Sequence, residues 1–564
     1  VLGKLAVEAG GMSYAGLTTD TGYKIVREGN AIFIYGKTAN GTANGVYAFM
    51  NKYFGLEFYT GDCYTYNDSP DVSIPDVNIT FNPDIDYLFA SGSTTVGEDY
   101  TDKTYPFAYQ YRLGYVTEHY VNAGGAHNFT TLISEAEYGT EHPDWFTTTN
   151  YYAATNWKNG APVSGASAAG TFETLNLSYN DYEMVPTVAV KIAELVTTSG
   201  KERKYFMFSQ PDKLGWSASS ESAAIKTKYG TYSAEYILFM NKLAKHLDDN
   251  YDFGREVVLQ ILAYGAALEA PDYNEDLALY AGKNVKVGVF FAPIQKNNQL
   301  AITDSSLQGV VNGQYNSYYA NEFKKWQALA VNSEELYYWN YSCYFDNYFT
   351  PFDSLSTIQA DYAYAKSLGV SAIKDQGQIG NANTTSPDWD TLKQYVKAKL
   401  AKDVTANLDE LISDFCDAYY GAASSYMQGL LKVEREWING TLKDRAQNDG
   451  KSTIGINDGA SWINPSSNKK YWDEGEKTGW IFTKTTYDSS MLKTWYGYIE
   501  DALSAVGGDE VLTARVKTEG LTIRYLLAKV FEDTTHGSIA NVISDAQALG
   551  IKYYGEGRNI SSLS

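Results

Sequence analysis

Val257-Val258-Leu259-Gln260-Ile261-Leu262-Ala263-Tyr264 is an eight-residue run with a single strongly polar member, and Val285-Lys286-Val287-Gly288-Val289-Phe290-Phe291 repeats its character a short way on. Continuous β-branched and aromatic runs of this length read as strands buried on both faces, as in parallel sheets covered by helices. Lys204-Tyr205-Phe206-Met207-Phe208-Ser209, Glu335-Leu336-Tyr337-Tyr338-Trp339-Asn340-Tyr341 and Val370-Ser371-Ala372-Ile373-Lys374-Asp375 are of the same kind. Between them lie amphipathic stretches such as Tyr236-Ile237-Leu238-Phe239-Met240-Asn241-Lys242-Leu243 and Ile358-Gln359-Ala360-Asp361-Tyr362-Ala363-Tyr364-Ala365. Strand-helix alternation over 84–390 predicts an α/β fold with a central (β/α)8 TIM-like barrel, because a doubly wound sheet would rarely run so long uninterrupted. No GxGxxG or GxxxxGK[ST] follows a strand, which removes the main support for dinucleotide and P-loop readings.

Outward from this centre the pattern changes. Residues 1–83 read as a small α/β unit. Gly22–Arg27 and Ala31–Gly36 are short strands joined by Glu28-Gly29-Asn30, a hairpin signal, and Val46, Phe49, Met50 and Tyr53 follow at helical spacing with Gly55 as C-cap. Two strands and a helix are few for an autonomous domain, so the unit reads as truncated, and Pro70, Pro75 and Pro83 mark 67–83 as its linker. From 391 to 564 the chain reads as helical, with segments from Leu392, over Leu408–Tyr420, Met491–Leu503 and Val511–Val530. A polar insertion, 447–480, carries Trp462, Trp472 and Trp480, which suit packing an irregular loop better than a sugar-binding rim.

The chain has 564 residues, 44% hydrophobic and 20% charged, with a net charge of −22. It is too apolar for disorder and long enough for two to four domains of roughly 100–250 residues. The negative field opposes nucleic acid and anionic membrane surfaces, and no run of about 18 apolar residues offers a spanning helix, so membrane insertion is not expected. Cys63, Cys343 and Cys416 are far apart with no CxxC, which argues against a cysteine-rich zinc site and allows at most one disulfide. Val1-Leu2-Gly3-Lys4 lacks both Met and a signal-peptide layout, so the expected reading is a processed start or a missing N-terminal part. The 49 tyrosines, with 23 Phe and 11 Trp, suit stacking on sugar rings as well as an ordinary aromatic core.

In a barrel, function collects at the carboxyl ends of the strands. The polar residues there are Ser209-Gln210-Pro211-Asp212, Tyr264, Trp339 with Tyr341, and Asp375-Gln376-Gly377. Glycosidic cleavage needs two carboxylates facing one cavity, one protonating the leaving oxygen and the other assisting water or the anomeric carbon. Asp212 and Asp375 are the candidate catalytic pair. His127, in Gly124-Gly125-Ala126-His127-Asn128-Phe129, is a candidate for bonding sugar hydroxyls, and Gln210, Tyr264, Trp339 and Tyr341 complete the candidate binding set. Each of these has an ordinary alternative, the aspartates as helix caps and the histidine as a backbone-bonded structural residue. His142 looks structural. No HExxH supports a metal site and no GxSxG starts a Ser-His-Asp triad, so neither metal nor cofactor is expected.

At these residues the chain resembles the bacterial family called domain of unknown function 4838, found in surface or secreted proteins and similar to α-glucuronidases and the hexosaminidase-like superfamily. The resemblance runs from the start to about residue 540. Its pieces include Gly41-Thr42-Ala43-Asn44-Gly45-Val46-Tyr47, Gly55-Leu56-Glu57-Phe58-Tyr59, Gly125-Ala126-His127-Asn128-Phe129, His142-Pro143-Asp144-Trp145-Phe146, Ser209-Gln210-Pro211-Asp212, Trp339-Asn340-Tyr341 and Asp375-Gln376-Gly377. It implies a hexosaminidase-like N-terminal domain, a barrel and a helical C-terminal region, in an extracellular or cell-surface protein whose partner is a glycan or polysaccharide. Three departures stand out. Pro211 replaces the amide of the family's S-Q-N-D and cannot donate a hydrogen bond. Ser217, Ser219 and Ser222 replace the cysteines of its W-C-x-C-x-x-C. Asp375 replaces a Glu, shortening a carboxylate's reach where about 1 Å can cost about 100-fold in rate. The leading reading is therefore a glycoside-hydrolase-like protein acting on or binding a glycan. The alternative is a non-catalytic structural or adhesive surface protein, a self-assembling filament or surface-layer subunit built on a degenerate barrel.

Overall fold

A computed structural model describes residues 1–60, 62–68, 73–89, 113–115, 120–121, 126–151, 157–158, 161–162, 165–166, 174–200, 203–212, 215–298, 300–306, 314–344, 347–378, 386–442, 487–555 and 557–564. The insertion with Trp462, Trp472 and Trp480 lies outside the described residues. The N-terminal unit pairs β1 (Tyr23–Glu28) with β2 (Ala31–Tyr35) and β3 (Asn78–Phe81), all antiparallel. Glu28 faces Ala31 across the expected turn, where Gly29 takes a positive φ of 59°. The helix of this unit, α1 (Ala39–Phe54), starts earlier than its apolar spacing suggested, because Thr38 caps it by accepting from the Gly41 N–H. Gly41 and Gly45 fall inside it and seat it on the sheet. A Cβ on Gly45 would stand 2.8 Å from Ile34 Cγ2. Gly55 ends the helix in the left-handed conformation, as its position predicted.

The decisive element is one all-parallel sheet of seven strands: β4 (Tyr87–Phe89), β5 (Tyr120–Val121), β6 (Tyr205–Met207), β7 (Val257–Ala263), β8 (Val285–Phe291), β9 (Leu336–Tyr341) and β10 (Ala372–Gln376). Its order is β4-β10-β9-β8-β7-β6-β5. From β5 onward each strand lies beside the next in the chain, and β10 pairs with β4, which is the cyclic order of a curled sheet. The seam falls between β4 and β5. Curling brings the Tyr87 and Phe89 rings of β4 to 6.0 and 6.4 Å from Tyr205 on β6, and Tyr205 to 5.0 Å from Tyr337 on β9. The described residues thus form a curled half-barrel of seven strands, where the sequence predicted a closed barrel of eight.

Two side-chain layers follow from the period of two. Tyr337, Trp339 and Tyr341 point to the concave interior with Met207, Leu262, Tyr264 and Phe290. Leu336 and Tyr338 point outward to the helices α2 (Val185–Thr198), α3 (Ser233–Asn250), α4 (Asn316–Leu329), α5 (Leu355–Ser367) and α6 (Asp390–Lys402). Helices α7 (Leu408–Tyr420), α8 (Ser424–Glu436), α9 (Ser489–Ala505), α10 (Glu510–Phe531) and α11 (Ile539–Ala548) continue the same outer core as far as Leu563.

Asp388 and Trp389, both left-handed, tie that helical region to the sheet. The Trp389 indole donates to Glu434 at 2.7 Å and its backbone N–H to Glu519 at 3.0 Å, while Lys393 pairs with Asp388 at 2.6 Å. Burial drives the carboxyls up, Asp388 to about 7 and Glu434 and Glu519 to about 8. All three cysteines are free and buried. Among the described residues no helix is long and apolar enough to cross a membrane.

Candidate functional site

The carboxyl end of β6 runs into Ser209-Gln210-Pro211-Asp212, and the segment after β5 is bolted to it. The Asn128 amide donates to the Met207 carbonyl at 2.8 Å and accepts the Ser209 N–H at 2.9 Å, while the His127 N–H donates to Ser209 Oγ at 2.7 Å. These bonds hold His127 at φ 97°, a conformation non-glycine residues rarely adopt. Such strain persists only where surrounding structure enforces it, and it concentrates at functional sites. His127 Nδ1 lies 2.8 Å from the Gln210 carbonyl, which can only accept, so Nδ1 carries a proton. That leaves Nε2 facing Asp212 Oδ1 at 3.7 Å. The Tyr264 hydroxyl donates to the same Oδ1 at 3.0 Å, and the His127 and Tyr264 rings are 5.6 Å apart. Asp212 keeps 45% of its side chain exposed and His127 25%, so both reach solvent at the mouth of the interior.

A carboxylate, an imidazole nitrogen and a phenol thus converge from the ends of three successive strands. With Nδ1 protonated, a neutral His127 presents Nε2 as an acceptor beside the acceptor oxygens of Asp212. A ligand offering two donor hydroxyls on neighbouring atoms satisfies both. When the imidazole takes a second proton, Nε2 becomes a donor toward the carboxylate.

The other expected residues are placed differently. The Gln210 amide is spent on the backbone, donating to the Leu262 and Tyr264 carbonyls at 3.0 Å each, so it clamps β6 to β7. Trp339 and Tyr341 do face the interior but are buried in its wall. Trp339 donates to Gln376 Oε1 at 2.9 Å, lies 5.4 Å from Phe290 and 6.0 Å from Tyr341, and carries the Lys374 ammonium 3.5 Å from its ring centre. They are wall residues, not an open stacking platform.

Asp375 is placed apart from this cluster. It lies on the outward face of β10, 2% exposed, where Oδ2 accepts from Asn340 and the Tyr362 hydroxyl at 3.0 Å each and Oδ1 stands 3.1 Å from the Lys397 ammonium. Its neighbours Lys374 and Gln376 take the inward positions. The structure thus places Asp375 on the helix-covered face of the sheet and does not bring it to the cluster of Asp212, His127 and Tyr264. Lys374, on the inward face of the last strand over the Trp339 ring, is the interior charge that sequence reasoning missed. Its signal was one of parity, since a charged residue next to a charged residue in a strand puts one of them inside.

The serines at the family's cysteine positions form a chain. Ser217 Oγ donates to Ser219 Oγ at 3.0 Å, Ser219 to Ser222 at 3.0 Å, and Ser222 to Glu235 at 2.6 Å, with Trp216 and Ser178 completing the shell of that buried carboxyl. Burial raises Glu235 above the usual carboxylate range. His142 stacks on Trp145 at 3.9 Å, as a structural histidine would. Among the described residues no three His, Cys, Asp or Glu side chains converge as a metal-binding set.

Fold and site together define a class: mixed α/β proteins with a curled parallel sheet and a polar cluster at the carboxyl ends of its strands. The chain belongs to the family described as domain of unknown function DUF4838, whose profile matches residues 58–432. That span is narrower than the motifs suggested. Similar solved structures include a family 89 glycoside hydrolase from Clostridium perfringens in complex with its substrate GlcNAc-α-1,4-galactose, at 12% identity and TM-score 0.49, covering 94% of this chain and 60% of that one. A family 138 enzyme targeting pectin rhamnogalacturonan II shares 10% identity at TM-score 0.40, covering 95% and 67%. A chitobiase from Flavobacterium johnsoniae shares 11% at TM-score 0.35, covering 95% and 84%. The chain thus spans about 60% of the length of the family 89 enzyme. No curated protein matches the sequence.

Proposed function

We propose that the chain is a glycoside-hydrolase-like protein of the cell surface or extracellular space that binds a glycan at the carboxyl end of a (β/α)8 barrel. The cyclic strand order and the β10 to β4 pairing support the barrel. The observation that carries the site is the convergence of Asp212, His127 and Tyr264 on one half-exposed position, with His127 in a strained conformation held by its hydrogen bonds to Ser209 and Gln210. Acceptors spaced for adjacent hydroxyls suit a sugar ring with its polar edge against Asp212 and His127. In this reading Asp212 is the acid/base group, and Asp375 takes no part in the chemistry.

The test is a glycan panel assayed for both binding and sugar release, with wild type, Asp212→Asn and His127→Ala side by side. Binding by the wild type that weakens tenfold or more in both variants supports the site. Sugar release that disappears in Asp212→Asn adds the acid role. Wild-type protein that binds no glycan at millimolar concentration overturns the reading.

A further inference from the structure

The opposite end of the parallel sheet carries a second concavity. The N-terminal unit sits against the amino-terminal side of β4 and the last turn of α6, leaving a cleft of about 180 Å³. One wall is aromatic, from Tyr23, Tyr47, Phe58 and Phe81, and Asn44 and Asn51 add amides. Four charged groups face it. The Glu57 carboxylate is taken by the Lys399 ammonium and by the Asn51 amide. Asp86 is taken by the Asp20 and Thr21 N–H groups and the Thr21 hydroxyl, each at 2.8 Å.

Lys402 is the exception. Among the described residues nothing accepts a hydrogen bond from its ammonium, although the side chain lines the cleft and is only partly exposed. Gly114, at φ 95°, makes room for it, since a Cβ there would stand 2.8 Å from Lys402 Cε and 3.2 Å from Nζ. Desolvation, followed by repulsion from Lys399, brings the amine down to about 8. Glu57 offsets this only in part, and a partly desolvated ammonium that no carboxylate accepts from is costly, so an anion on it removes that cost.

We propose that this cleft is a binding site for a small organic carboxylate carried on a ring-sized body, with the carboxylate on Lys402 and the body against the aromatic wall. A monoanion fits better than a phosphate. Among the described residues only one ammonium of the cleft lacks a hydrogen-bonding partner, and a dianion would face Glu57 and Asp86 without a second such cation. The site is independent of the glycan reading and lies at the other end of the sheet.

The experiment uses the full chain with benzoate as probe, the neutral isostere benzamide and inorganic phosphate. Lysine acetylation read by mass spectrometry should show benzoate slowing modification of Lys402 at least fivefold while leaving exposed Lys52 unchanged, and benzamide protecting neither. By calorimetry, benzoate affinity should fall tenfold or more in Lys402→Met and also in Gly114→Ala, which keeps the charge but fills its niche. It should fall about tenfold in wild type from pH 7 to pH 9, as the ammonium loses its proton. Protection by phosphate equal to that by benzoate would overturn the monocarboxylate assignment. No protection of Lys402 at millimolar benzoate would overturn the site, and because that measurement uses wild-type protein it stands whether or not the variants fold.

Discussion

Replacing Glu434 with Gln tests the energetics of the junction between the sheet and the C-terminal helices. Glu434 is buried beside Asp388 and Glu519 with one ammonium, Lys393, among the three carboxyls, and its pKa is pushed up to about 8. An unfolded Glu titrates near 4.3, so the difference is about 3.7 pH units, or about 5 kcal/mol at about 1.4 kcal/mol per unit. The sign follows from proton counting. Between about pH 4.3 and 8 the folded chain holds this proton and the unfolded chain does not, so stability falls as pH rises and levels off above 8. In Glu434→Gln the side-chain oxygen still accepts from the Trp389 indole, and the titration is gone. The variant should therefore lose less stability than wild type between pH 5 and pH 9, the two curves diverging by up to about 4 kcal/mol over that range. Denaturant unfolding followed through Trp fluorescence at half-unit pH steps measures the divergence. Parallel curves for wild type and variant would refute the reasoning.

Asp375→Asn should destabilise by about 3–5 kcal/mol in thermal or denaturant unfolding, because it leaves the fully buried Lys397 ammonium without its counter-charge. Asp212→Asn, at a half-exposed position, should change stability by less than about 1 kcal/mol in the same assay while altering glycan binding. Ser222→Ala removes a donor from buried Glu235 and should cost about 1–3 kcal/mol in the same assay. Gly45→Ala should cost about 1–3 kcal/mol by pushing α1 off Ile34 and Tyr23, read as a lower melting temperature.

Much of the architecture was legible from residue order. The runs at 204–209, 257–264, 285–291, 335–341 and 370–375 all contain strands of the one parallel sheet, and Gly55 and the Gly29 turn fall where their chemistry requires. Periodicity and capping are local properties, so a linear reading reaches them. The early start of α1 was not legible, because Gly41 and Gly45 count against a helix until their contact with the sheet is known. The grouping of Asp212, His127 and Tyr264 was legible in part, since strand ends of a barrel converge by topology.

Which face each strand residue takes was decided only by the tertiary structure. In a sheet covered on both sides, Ala372-Ile373-Lys374-Asp375-Gln376 shows no alternation of polar with apolar that would name the inside. Parity says that Lys374 and Asp375 part company, and the sequence alone determines that much. The sign of the choice comes from Asn340, Tyr362 and Lys397, which reach Asp375 from another strand and two helices and hold it on the outside. Buried charge is stable only beside its partners, and those partners are neighbours in space, not in sequence.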